Sequence, residues 1–341
     1  KYSNLQLNYY FSTKNYNKKE KSFITNIIHT TLKNLIFIDY LIEKNSSNIK
    51  KRKIKQLLRI SVAQFLLNKE SDYSGIVFEA VETAKIINKH QAGIVNGILR
   101  NIFQKYDQLV SEIPVTQKYS VELSYPQWII NKIASDHPEN YVRILKSYKT
   151  KSYLSFRINP RKFSGEEFIK LAEKHESRIL FEIENVFYMS NSALLHTKEF
   201  KEGYFYVQDA SSYLAVKTLD IQDGDIVLDA CSAPGGKMTA ILQEYNPGLL
   251  IASDIHEHKI EILEEIKKKN NFTNLKIVLN DARAIGNLNE KFDRILLDVP
   301  CSGLGVLRKK PEKIYTLESS DIKKLKKIQK AIFDSAYHSL K

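Results

Sequence analysis

The fold is decided by the stretch Val227-Leu228-Asp229-Ala230-Cys231-Ser232-Ala233-Pro234-Gly235-Gly236-Lys237. An apolar run ends in Asp229, a Pro-Gly-Gly turn follows, and residues 238–245 then have helical character. Open α/β sheets use this strand–turn–helix order to build ligand pockets at the carboxyl ends of their strands. Glycines in such a turn let the backbone approach a ligand closely. The stretch therefore predicts a nucleotide-type pocket on a parallel sheet.

Three more strand-like runs downstream also lead to an aspartate. Residues 249–253 lead to Asp254, while Asp281 and Asp298 follow the next two runs. If the runs are parallel strands, the acids lie along one rim of the sheet. A single aspartate in such a place commonly caps a helix or turn. Four of them at successive strand ends indicate a binding rim.

The charge of this rim indicates the class of ligand. Phosphate-containing ligands need donors and cations, whereas this rim offers carboxylates and Lys237. The turn lacks the dinucleotide pattern G-x-G-x-x-G, and Cys231 and Met238 break the Walker A pattern. Asp254 follows Gly236 by 18 positions, near the spacing of an acid that binds a ribose diol. S-adenosylmethionine fits better, and Lys237 either neutralises its carboxylate or is a solvated lysine at a helix start.

Several motifs of the second half carry a family resemblance. They are residues 231–237, Asp254, Asn280-Asp281-Ala282-Arg283 and Asp298-Val299-Pro300-Cys301-Ser302-Gly303-Leu304-Gly305. Together they resemble the RNA cytosine-C5 methyltransferases of the Sun/RsmB type, and residues 205–212 resemble the segment that leads into the catalytic domain of that family. The resemblance implies an S-adenosylmethionine site formed by Cys231, Ser232, Ala233, Pro234, Gly235, Gly236, Lys237, Asp254, Asp281 and Asp298.

The resemblance also assigns catalytic roles. C5 of cytosine becomes nucleophilic only after a thiolate adds at C6, and a base must then take the C5 proton. In the family, a cysteine matching Cys301 assists product release beside an acid matching Asp298, and the nucleophile lies in a later Thr-Cys-Ser element. The chain has only Cys231 and Cys301. We therefore expect the main nucleophile beyond Lys341, in a longer protein. The alternatives are a non-catalytic relative and a nucleophilic Cys301.

The first third of the chain has a different pattern. Residues 22–105 contain four apolar stripes at helical spacing, which predicts a helical bundle. Residues 79–82 and 95–100 resemble the NusB-like RNA-binding domain that precedes methyltransferases of this type. Residues 111–118 have the composition of a linker, and a small α+β subdomain is expected after them.

The predicted fold class combines these parts. It is an α/β Rossmann-like S-adenosylmethionine-dependent methyltransferase sheet, preceded by an all-α NusB-like bundle and a small α+β subdomain. The predicted domains are 1–110 (NusB-like, RNA-binding), 111–204 (linker and α+β subdomain) and 205–341 (catalytic).

The composition favours a nucleic-acid partner. The net charge is +13 and the pI is about 9.3, which suits a polyanion. Arg308, Lys309 and Lys310 follow the Pro-Cys element and are predicted to bind RNA. Few cysteines, no signal peptide and no long apolar run predict a cytoplasmic protein without a membrane partner. No Cys/His cluster has zinc-ligand spacing, so no metal is expected, and we predict a monomer.

The predicted function is S-adenosylmethionine-dependent methylation of C5 of a cytosine in 16S ribosomal RNA. One alternative is the same chemistry on transfer RNA. The other comes from a different class: a non-catalytic RNA-binding or antitermination-like protein, in which the helical domain acts and the sheet is inactive.

Overall fold

A computed structural model describes residues 3–46, 49–69, 72–150 and 152–341. The chain forms two compact units, Lys1–Lys151 with Gly303–Ser319, and Ser152–Ser302 with Ser320–Lys341. The chain therefore leaves the second unit after Ser302, contributes a segment to the first unit, and returns at Ser320. This division differs from the predicted boundaries near residues 110 and 204.

The first unit is helical throughout its described part. Its α-helices are α1 (Ser3–Thr13), α2 (Lys18–Lys33), α3 (Leu35–Asn45), α4 (Arg52–Leu67), α5 (Ser74–Asn88), α6 (Ala92–Gln104), α7 (Tyr106–Ser111), α8 (Lys118–Glu122), α9 (Gln127–Asp136) and α10 (Tyr141–Ser147). A capping box starts α2: the Asn17 side chain accepts from the Glu20 N–H, and the Glu20 carboxylate accepts from the Asn17 N–H. The apolar stripes of α3 to α6 bury one core, with Leu41, Leu58 and Leu99 at its centre. The predicted helical bundle is confirmed.

A second core of this unit joins two segments that lie far apart in the sequence. Leu145 of α10 packs in one apolar cluster with Leu307 and other residues of the segment 303–319. The Tyr315 hydroxyl also donates to the Leu32 carbonyl of α2 at 2.7 Å. Because burial of this apolar surface is favourable, segment 303–319 and helices α8 to α10 group with the bundle rather than with the sheets.

The second unit begins with an antiparallel sheet. Its strands are β1 (Leu154–Ile158), β2 (Ile179–Ile183), β3 (Val186–Met189) and β4 (Phe205–Val207), in the order β2-β3-β1-β4, and its helices are α11 (Gly165–Lys174) and α12 (Lys198–Lys201). An aromatic core holds α11 against the sheet: Phe168 contacts Phe187 at 4.6 Å and Phe205 at 5.2 Å between ring centroids. This part is the predicted α+β subdomain.

A parallel sheet follows. Its strands are β5 (Ile226–Asp229), β6 (Leu249–Asp254), β7 (Leu275–Leu279) and β8 (Arg294–Leu296), and its helices are α13 (Ala210–Lys217), α14 (Gly236–Glu244), α15 (Glu257–Asn270) and α16 (Ser319–Tyr337). The strand order is β7-β6-β5-β8. The order reverses beside β5, which makes a topological switch point, the usual place for a ligand in an open α/β sheet. The predicted architecture is confirmed.

The helices were also compared with the length and hydropathy of membrane-spanning helices. Within the described ranges, no helix combines the length and the apolar character needed to span a bilayer.

Candidate active site

The carboxyl ends of the parallel strands surround a cavity of about 510 Å³. Asp229 and Asp254 end β5 and β6, and Asp281 and Asp298 lie two residues beyond β7 and β8. The cavity lining includes Ala230, Cys231, Ala233, Asp254, Ile255, His256, Lys259, Asn280, Asp281, Ala282, Asp298 and Pro300. Three of the four rim acids therefore face one space, as the spacing of the motifs predicts.

The turn between β5 and α14 depends on glycine. Gly235 has φ 92° and ψ 7°, in the left-handed region. A Cβ at this position would lie 3.0 Å from Leu263 Cδ2 and 3.1 Å from Ile266 Cδ1 of α15. The left-handed backbone strongly favours glycine, and the Leu263 and Ile266 methyl groups would have to shift to admit a side chain here. The Thr239 hydroxyl donates to the Gly235 carbonyl at 2.7 Å and fixes the start of α14.

Two roles were predicted for Lys237, and the structure contradicts one of them, that of a solvated lysine at a helix start. Its Nζ donates to Asp298 Oδ2 at 2.5 Å, and only 17% of its side chain is exposed. The pair joins the first turn of α14 to the segment after β8. Lys237 therefore holds the Asp298 carboxylate at the rim, which no spacing rule could indicate because the two residues are far apart in the sequence.

A smaller cavity, about 280 Å³, adjoins the first. Both cavities are lined by Cys231 and Asp298, and the smaller one also by Asp229 and Lys237. Asp229 is 1% exposed, and neither carboxylate oxygen has a hydrogen-bond partner in the described structure. Burial raises the pKa of Asp229 to about 7, although the neighbouring Ser232 side chain and the charge of Lys237 oppose this. A buried carboxyl group with a raised pKa beside a cavity is a candidate functional residue.

The polar side chains of the larger cavity fit S-adenosylmethionine. Asp254 is 5% exposed; its Oδ1 accepts from the His256 N–H at 3.1 Å, and Lys259 Nζ lies 3.3 Å from both oxygens. Asp281 accepts from Arg283, whose hydrogen bonds lower the pKa of this carboxyl. Carboxylates of this kind accept from hydroxyl and amino groups and attract a sulfonium, whereas a phosphate would be repelled.

A buried arginine next to these cavities was missed by sequence reasoning. Arg157 of β1 is 0% exposed, and its Nε donates to Gln208 Oε1 at 2.5 Å. The rings of Tyr206 and Tyr213 lie 5.5 and 5.9 Å from its guanidinium carbon. No carboxylate of the described residues lies within ion-pair distance of Arg157. The sequence feature that could have indicated Arg157 is a charged residue next to apolar ones within a strand.

Gln208 connects this arginine to the turn before α14. It lines the smaller cavity, and a Cβ at Gly236 would lie 3.7 Å from Gln208 Nε2. Its backbone N–H donates to the Ser155 carbonyl of β1 at 3.2 Å. Since the Gln208 amide oxygen accepts from Arg157, the amide nitrogen faces the turn at Gly236, and the antiparallel sheet thus meets the start of α14.

We expect Gln208→Leu to lower the free energy of unfolding by about 1–2 kcal/mol, because the buried Arg157 guanidinium loses a partner. Gln208→Glu is the matched variant, since it keeps an acceptor in place and adds a charge opposite to that of the guanidinium. Urea unfolding followed by circular dichroism measures both. Equal losses in the two variants would show that Arg157 does not depend on the Gln208 oxygen.

The predicted RNA-binding residues lie in the other unit. Arg308, Lys309 and Lys310 belong to segment 303–319 of the helical unit, where Leu307 anchors them in the core. Lys309 is exposed and the other two are half-buried. Burial, and then the charge of Arg308, lower the pKa of Lys33 in α2. Positive charge is thus concentrated where this segment meets the bundle.

Cys301 is exposed and belongs to the sheet unit. Its neighbour Pro300 lines the larger cavity, and the Pro300 carbonyl accepts from Gln329 Nε2 of α16 at 2.9 Å.

Cys231 is half-buried, and burial raises the pKa of its thiol to about 11. A thiol with a raised pKa is a poor nucleophile, which favours a binding role for Cys231.

Family models match three parts of the chain. The models described as "16S rRNA methyltransferase RsmB/F", "NusB family" and "N-terminal domain of 16S rRNA methyltransferase RsmF" match residues 216–341, 1–104 and 125–210, respectively.

One curated relative and two solved structures are also similar to this chain. "Probable ribosomal RNA small subunit methyltransferase B" of Bacillus subtilis (strain 168) is 32% identical over 97% of this chain and 76% of its own length. Among solved structures, PH0851 is similar with a TM-score of 0.75 and 21% identity, over 97% of this chain and 77% of that one. NSun6 from Pyrococcus horikoshii, solved with SFG, gives a TM-score of 0.57 and 21% identity, over 63% and 80% of the two chains.

Proposed function

The chain belongs to the ribosomal RNA small subunit methyltransferase B family, and we propose that it methylates C5 of a cytosine in 16S ribosomal RNA with S-adenosylmethionine. One observation carries the proposal. The element that contains Asp298 and Cys301 follows β8, at the same carboxyl edge of the parallel sheet as Asp254 and Asp281. A thiol-bearing segment beside a cofactor rim is the arrangement that C5 chemistry needs.

We assign the cofactor to the larger cavity. The turn 231–237, Asp254, Asp281 and Asp298 would hold it, with Asp254 accepting from the ribose hydroxyls. When bound, S-adenosylmethionine supplies an electrophilic methyl group. The carboxylates of Asp254, Asp281 and Asp298 favour a cofactor with hydroxyl, amino and sulfonium groups over one that carries phosphates.

We assign the target cytosine to the smaller cavity. The Lys237 ammonium holds the Asp298 carboxylate where both cavities meet. A carboxylate accepts from the exocyclic amino group of cytosine, whereas uracil has no donor at that position. Asp298 therefore favours cytosine.

The remaining roles follow from the chemistry of C5. After methyl transfer, a base must remove the C5 proton so that the thiolate at C6 can leave. We assign Cys301 to this release step. That the nucleophile lies in a later element, and that the protein acts as a cytoplasmic monomer without a metal ion, stay predictions.

Deletion of the gene that encodes the chain tests the proposal. We expect one 5-methylcytidine to disappear from 16S ribosomal RNA, as read by bisulfite sequencing, and to return when the gene is restored. Loss of a 5-methylcytidine from transfer RNA instead would support the first alternative. An unchanged pattern in both RNAs would support the non-catalytic alternative.

The same strain can distinguish the roles of Cys301. If Cys301 assists release, a Cys301→Ser gene should leave the protein covalently attached to RNA, which a denaturing gel detects as a slowly migrating band. Loss of methylation without such an adduct would mean that Cys301 is the nucleophile.

A further inference from the structure

A third cavity, about 500 Å³, adjoins the turn between β5 and α14. It shares Gln208, Pro234 and Gly236 with the smaller cavity assigned to the target base. Its remaining lining comes mainly from α12, β4, α14 and α15, and the cofactor is not assigned to it. A space of this size next to the base site is large enough for a nucleotide.

The aromatic part of the lining is held rigidly. Tyr206 lines the cavity, and its hydroxyl donates to Asn270 Oδ1 of α15 at 2.7 Å. The Arg157 guanidinium carbon lies 5.5 Å from the centroid of the Tyr206 ring. The ring is therefore fixed at its edge and supported by a buried cation. An aromatic ring that is already ordered is a suitable surface for stacking a nucleobase.

The charged part of the lining is cationic. Lys201 at the end of α12 and Lys269 near the end of α15 both line the cavity and are exposed. Within the part of the chain that the structure describes, no carboxylate lies within ion-pair distance of either amino group. By contrast, Lys198 on α12 lies 3.7 Å from Glu202 and is absent from the lining. Two lysines without protein counter-ions beside an aromatic ring match a nucleotide, which offers a base and a phosphate.

We propose that this third cavity binds the nucleotide adjacent to the target cytosine in the RNA strand. The base packs against Tyr206, and the phosphate is neutralised by Lys201 and Lys269. The inference rests on the proposed function, because the residues shared with the smaller cavity place this site next to the target base. It adds an RNA-positioning subsite on the sheet unit, beyond the basic segment Arg308 to Lys310 of the helical unit.

The test compares two charge reversals in the full chain. One variant is Lys201→Glu with Lys269→Glu; its control is Lys198→Glu with Lys268→Glu, which makes the same charge change on the same two helices outside the cavity. The probe is a fluorescent single-stranded 16S ribosomal RNA oligonucleotide, and anisotropy is measured over a range of salt concentrations. The cavity variant should bind at least about tenfold more weakly and lower the salt slope by about 0.7, the value for one phosphate contact on a single strand, whereas the control changes affinity by less than about twofold.

Tyr206 gives an independent measurement. Tyr206→Leu should weaken RNA binding about tenfold through lost stacking, while Tyr206→Phe should keep most of the affinity. Circular dichroism confirms that both variants fold. Equal weakening by the cavity and control charge reversals, or no weakening by the cavity variant, would overturn the inference. Calorimetry with S-adenosylmethionine distinguishes the two proposals. If the wild-type chain does not bind S-adenosylmethionine, the proposed function is wrong, whatever the RNA measurements show.

Discussion

Asp254→Ala should weaken the binding of S-adenosylmethionine by about 1–3 kcal/mol, or roughly 5- to 150-fold in Kd. Asp254 is buried at the end of β6 and lines the cofactor cavity. Loss of its carboxylate would leave the donor groups of a bound cofactor without an acceptor in a place that excludes water. Isothermal titration calorimetry with the full chain measures the change.

Two controls separate binding from folding in this experiment. Asp254→Asn keeps an acceptor for the His256 N–H, which starts α15, while it removes the charge. Glu257→Ala removes an exposed acid of the same helix that does not line the cavity. Unchanged affinity in Asp254→Ala, or tighter binding of NAD than of S-adenosylmethionine, would refute the cofactor assignment.

Reversal of the basic segment should have an effect of similar size on RNA. We expect Arg308→Glu, Lys309→Glu and Lys310→Glu together to weaken RNA binding by roughly two orders of magnitude at low salt. Each lost phosphate contact also removes a counterion-release contribution, so the salt slope should fall by about 2. Anisotropy titrations of a 16S ribosomal RNA fragment at several salt concentrations give both quantities.

The matched control reverses three exposed lysines elsewhere on the helical unit. Lys14→Glu, Lys18→Glu and Lys19→Glu make the same change in net charge near the start of α2. If both triple variants lose affinity equally, the effect is one of overall charge. A salt slope that does not change in the Arg308–Lys310 variant would mean that these side chains are only hydrated.

The parallel sheet and its rim could be predicted because their determinants are local. An apolar run followed by an acid marks the end of a buried strand, and the spacing from Gly236 to Asp254 follows from the length of one helix and one strand. Gly235 could likewise be predicted as a turn residue, since its left-handed backbone requires glycine. In each case neighbouring residues in the sequence are also neighbours in the structure.

Other parts of the site depend on contacts between distant segments. Lys237 meets Asp298 only because β5 and β8 are adjacent in the sheet, and Arg157 meets Gln208 only because β1 pairs with β4. The placement of segment 303–319 in the helical unit follows from a packing partner, Leu145, which precedes both sheets. Strand order and core packing are tertiary properties, so no periodicity within one segment could reveal them.

The chain passes from the sheet unit to the helical unit after Ser302 and returns at Ser320, and this order affects folding during synthesis on the ribosome. Domains generally fold in the order in which they emerge. Here the core around Leu145 lacks Leu307 and Ile314 until segment 303–319 has been translated, after strands β1 to β8. The helical unit, most of which emerges first, can therefore complete its packing only after strands β5 to β8 have left the exit tunnel.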